Sequence, residues 1–125
     1  MAFSRARLGA LLMATSCASA GAADPLALYT ATPVARQARL QGRLVQDGAC
    51  LYIVAEGGER WLAAFPSPGT RWEPGESAVQ VGARRLRVGE SGAFSGGEAS
   101  TAPWVKAPAA SCDASKVWTV SALMD

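Results

Sequence analysis

The sequence contains no histidine, no apolar stretch long enough to cross a bilayer, and no convincing amphipathic helical period. Without histidine there is no Ser-His-Asp triad, no Cys-His dyad and no histidine-ligated zinc site. The apolar run at residues 8–14 (LGALLMA) is far shorter than the about 20 residues a spanning helix needs, and no later stretch comes closer. No transmembrane segment is expected.

Charge of one sign is also lacking. Twelve Lys and Arg stand against ten Asp and Glu, and Arg5 and Arg7 lie in the first segment, so the remainder is balanced. A nucleic-acid or anionic-membrane binder carries a basic excess on one face, so no nucleic-acid partner is expected. The glycines of Gly92-Ala93-Phe94-Ser95-Gly96-Gly97 lack the spacing, the following helix and the Lys of a phosphate-binding loop. Asp and Glu are too dispersed for a calcium loop. Neither cofactor nor metal is expected.

What is present begins with residues 1–20. Arg5 and Arg7 precede the apolar run, and Ala18-Ser19-Ala20 has the small-residue pattern of a cleavage site, so the segment reads as a signal peptide and the protein as exported, periplasmic or secreted. Ala14-Thr15-Ser16-Cys17 has the outline of a lipobox, with Ala14 where a leucine-like residue is preferred. Lipidation of Cys17 and a lipid-anchored envelope protein are therefore the alternative.

Beyond residue 20 only Cys50 and Cys112 remain, and in an oxidising compartment they are one candidate disulfide. Closing a loop of that size contributes roughly 4 kcal/mol in the chain-entropy model, a large share of a small domain's stability. A reactive thiol would need a base or cation to hold its thiolate, and histidine is absent.

Residues 21–35, rich in alanine with Pro25 and Pro33, read as an extended arm or linker, and residues 36–125 as one small β-domain. In residues 39–46 (RLQGRLVQ), Leu40, Gly42 and Leu44 share one face of a strand, and residues 50–55 (CLYIVA) form a second. Asp47-Gly48 between them is a hairpin signal, because both residues tolerate the positive φ of a tight turn. Gly42 marks a bend or a close backbone approach. Residues 56–59 turn the chain into residues 60–65, and residues 77–81 and 84–88 form a further hairpin around Gly82-Ala83. Residues 66–76 hold three prolines and two glycines and read as a surface loop, as do residues 98–110; residues 116–123 are a last strand. About six short strands in so short a chain point to an all-β fold, a small OB-like or Greek-key barrel with one disulfide.

Four tryptophans stand out. Trp61 and Trp118 lie within strands and read as core, while Trp72 and Trp104 lie in the two proline-containing loops, where an exposed indole anchors a sugar ring or a protein contact. The candidate binding residues are thus Trp72, Arg71 and Trp104, with Arg85 and Arg87, which share a strand face, as outer candidates. No catalytic residue is expected. The function expected is an exported binding or structural domain with a protein or glycan partner. One alternative is an inhibitor or immunity-type protein presenting residues 66–76; another is a carbohydrate-acting protein using Glu73 or Glu76, since paired carboxylates are the minimal glycosidase equipment.

Overall fold

The computed structural model describes residues 24–32, 37–99 and 102–124; the signal peptide, its cleavage site and Cys17 lie outside the described residues. The described residues form ten strands: β1 (Ala27–Thr30), β2 (Ala38–Asp47), β3 (Cys50–Ala55), β4 (Arg60–Ser67), β5 (Thr70–Glu73), β6 (Ala78–Val81), β7 (Arg84–Arg87), β8 (Ser91–Ala99), β9 (Trp104–Lys106) and β10 (Val117–Met124). No helix among the described residues is long and apolar enough to cross a membrane.

Five of these strands close a ring. β2 pairs antiparallel with β3, β3 with β4, β8 with β2 and β10 with β8, and a parallel contact from β10 to β4 joins the ends. The order β2-β3-β4-β10-β8 is an OB-like Greek-key barrel. Gly42 is where β2 leaves β8 for β3, pairing with Gly92 on one side and Ala55 on the other. A Cβ on Gly42 would stand 2.5 Å from the Val54 carbonyl oxygen, so the expected close approach is real and no larger residue fits without a shift.

The strand count exceeds the expected six because four further segments are strands, among them β9, which with the end of β8 lies in the segment 98–110 expected as a loop. Ala27–Thr30, in the expected arm, pairs in parallel with the second half of β4 and antiparallel with β9. The proline-rich segment 66–76 contributes the end of β4 and all of β5, and the glycine-rich stretch around Phe94 is the long β8. Proline and glycine suppress the local strand signal, but ladder pairing on both sides of β8 overrides it.

The interior is filled by alternate residues of the ring, among them Leu44, Ile53, Trp61, Phe65, Phe94, Trp118 and Val120. Trp61 and Trp118 meet edge to face with centroids 5.6 Å apart. Each indole N–H is buried without an acceptor among the described residues, so these rings contribute by area and not by hydrogen bonding. The three-stranded sheet β5-β6-β7 adds Trp72, Val79, Val81 and Leu86 to the same core.

A second apolar cluster lies on the outer face. Leu62 and Ala64 of β4 point away from the interior yet are buried, with Tyr29, Cys50, Tyr52 and Val117 around them and Ala102, Trp104 and Cys112 packed on top. With both faces covered, β4 is buried almost without alternation. The Cys50–Cys112 disulfide fixes the covering segment at the first residue of β3.

Candidate functional site

The sequence-derived candidates do not form one site. The register sets Arg71, Gln80 and Arg85 in one row across the small sheet and Glu73, Ala78 and Arg87 in the next, all on its outer face. Trp72 pairs with Val79, which in turn pairs with Leu86, on the opposite face, and it packs half-buried against the barrel core. Trp104 belongs to the second cluster, under which Tyr29 and Leu62 lie. The two indoles expected to form a patch therefore serve two different cores.

The three arginines do converge, but onto glutamates. Glu73 accepts from Arg85 at 2.9 Å and lies 3.5 Å from Arg71; Glu76 lies 2.9 Å from Arg85 and 3.4 Å from Arg87. The hydrogen bond to Glu73, and then the charge of Glu76, hold the Arg85 guanidinium above its ordinary pKa. Arg71 also donates to the Gln80 side-chain oxygen. The network is close to self-neutralised, and its carboxylates are engaged.

In the OB architecture ligands lie across the outer face of the second and third barrel strands, between the loops that follow the first and fourth. Here those strands are β3 and β4, and residues 102–116 fold over part of them. Tyr52 accepts from the Asp113 backbone N–H and lies under the Arg60 guanidinium at 4.2 Å, and Arg60 pairs with Asp113 at 3.3 Å. Asp113 is held below the usual carboxylate range by hydrogen bonds from Ser115 and then by Arg60. On the far side, Tyr29 donates its hydroxyl to the Val120 carbonyl at 2.8 Å, and burial pushes its pKa up. This half of the outer face is roofed by the chain itself.

The other half is open. A shallow groove of about 370 Å³ runs over β2 and β3, with Val45, Val54 and Ala55 as its floor and Gln41, Arg43 and Glu56 at its rim. Arg39, Gln41 and Arg43 are exposed at alternate positions of β2, so all three project from the outer face. None of these side chains, nor that of Glu56, makes a hydrogen bond or ion pair among the described residues. By contrast, Arg60, Arg71, Arg85 and Arg87 are each ion-paired. The signal for this surface is the polar alternation at 39, 41 and 43 opposite Leu40, Gly42 and Leu44, which is legible in the sequence but looks like any solvated strand.

Comparison of the chain with protein-family models, with curated proteins and with solved structures finds no match.

Proposed function

We propose that the protein is an exported, non-catalytic binding module that works in the cell envelope or outside it and takes its ligand on the open half of the outer barrel face. The observation that carries this reading is the unpaired polar row Arg39, Gln41 and Arg43 beside an aliphatic groove. A free guanidinium on a rigid strand retains all its donors for a partner, at little ordering cost in the scaffold. The disulfide suits an oxidising compartment. Neither alternative gains comparable support. Glu73 and Glu76 are bound to arginines, which argues against a glycosidase pair, and residues 66–76 are drawn into β4 and β5 rather than presented as a plugging loop.

Site-specific photo-crosslinking tests the reading. With a photoreactive phenylalanine analogue in place of Gln41, in cells that export the chain, a discrete adduct is expected. The same analogue in place of Gln80, on the ion-paired sheet, should give none. Equal labelling at both positions, or none at position 41, would remove the proposal.

A further inference from the structure

We infer that the ligand of this surface is an extended peptide of alternating acidic and aliphatic residues, which adds as a strand beside the first half of β2. The inference rests on the binding role just proposed and names its ligand class.

Its basis is an incomplete ladder. β8 pairs with β2 from Ala38 to Arg43, whereas β3 pairs with it only from Gly42 to Asp47. Beyond Ala55 the chain leaves the track of β3 through the turn at Glu56, and no other described strand takes its place. Among the described residues, 38–41 therefore have one open edge. At Leu44 the backbone groups point toward β8, since its N–H reaches the Glu90 carbonyl and its own carbonyl accepts from Gly89. By strand alternation the N–H and C=O of Arg39 and Gln41 point the other way, into the vacated track. An incoming strand gains those backbone hydrogen bonds, the mode by which extended peptides augment a sheet.

Side-chain periodicity then sets the sequence of the guest. Positions on the outer face lie next to Arg39 and Gln41, and the free guanidinium selects a carboxylate there. Positions on the inner face lie next to Leu40, which is half-buried against the core, and so select an aliphatic residue. Glu56 stands at the Ala55 end of the track and repels a carboxylate, so the acidic positions belong toward Arg39. A glycan offers no backbone ladder, and no aromatic ring lines this groove to stack a sugar.

The test uses the disulfide-intact protein and three probes: a capped Glu-Val alternating octapeptide, its Lys-Val counterpart, and an oligogalacturonate. Amide NMR titration should show the Glu-Val peptide shifting Arg39, Gln41 and Gly42, with the Lys-Val peptide inert. Arg39→Gln should weaken binding by about tenfold while leaving the spectrum of the free protein otherwise unchanged. The same peptide N-methylated at alternate residues should lose binding in one of its two methylation phases. If the oligogalacturonate shifts these amides and the peptide does not, the peptide inference is overturned and the binding role stands. If both methylation phases bind as well as the parent, the strand-addition geometry is wrong. If no probe perturbs residues 38–43 and position 41 forms no adduct in cells, both readings fail.

Discussion

The two halves of the outer barrel face are built from neighbouring strands, yet one is apolar and roofed and the other polar and bare. Over β3 and β4, Tyr52 and Leu62 lie beneath Trp104, Cys112 and the segment around Asp113. Over β2 and the end of β3, Arg43 and Val54 sit opposite one another with none of the described residues above them. The difference shows how a small barrel acquires a second core: a terminal strand, a short edge strand and one covalent tie convert a solvent face into an interior. It also shows where that conversion stops, at the place where Arg39, Gln41 and Arg43 have no side-chain partner among the described residues.

The comparison is most strongly broken by removing the tie. Cys50→Ser with Cys112→Ser should lower stability by about 4 kcal/mol in denaturant melts. It should also raise binding of a hydrophobic dye as the roof loosens. An unchanged midpoint would mean that β1 and β9 hold the roof alone. Next is the roofed floor itself, where Leu62→Ala leaves a cavity and should cost about 3 kcal/mol, measured by the same melts. Tyr29→Phe removes the buried hydrogen bond to the Val120 carbonyl, and a loss of about 1 kcal/mol is expected. On the bare half, Arg43→Ala should change stability by no more than about 0.5 kcal/mol, because an exposed unpaired side chain contributes little to the fold. A loss as large as that of Leu62→Ala would show that the bare half is structural.

The smallest effect is acid dependence at the roof's rim. The Asp113 carboxyl titrates lower in the folded chain than its ordinary value of 3.8. Its contribution is therefore present above that value and lost as pH falls through the depressed pKa. Asp113→Asn should remove that small contribution at neutral pH and flatten the acid limb below about pH 4, where variant and wild type converge. A loss that persists undiminished in strong acid, where the carboxyl is protonated, would assign the residue a packing role instead.

Much of the barrel was legible because its signals are local. The alternation around Leu40 and Leu44, the Asp47-Gly48 turn and the dense run from Cys50 to Ala55 each specify their own strand, and the close approach at Gly42 follows from a lone glycine in such a run. The strands β1, β5, β8 and β9 were not legible: β1, β5 and β9 are runs of three or four residues flanked by prolines and β8 is glycine-rich, and the partners of β1, β8 and β9 lie far along the chain. For the same reason Trp72 and Trp104 read as loop residues. Their burial is decided by tertiary neighbours, Val79 and Leu86 for one and the second cluster for the other. The bare row on β2 escaped notice for the opposite reason. Its alternation is plain, but only the finished set of ion pairs reveals that Arg39 and Arg43 were left out of it.

The parallel contact between β4 and β10 has a temporal consequence. Residues 117–124 are the stave between two strands that lie far upstream, so the barrel stays an open, curled sheet until they arrive. A nascent chain halted before Val117 exposes the unpaired edges of both β4 and β8, which makes it sticky, slow to settle and vulnerable to proteases. Closure of the barrel thus waits for residues 117–124 to be made.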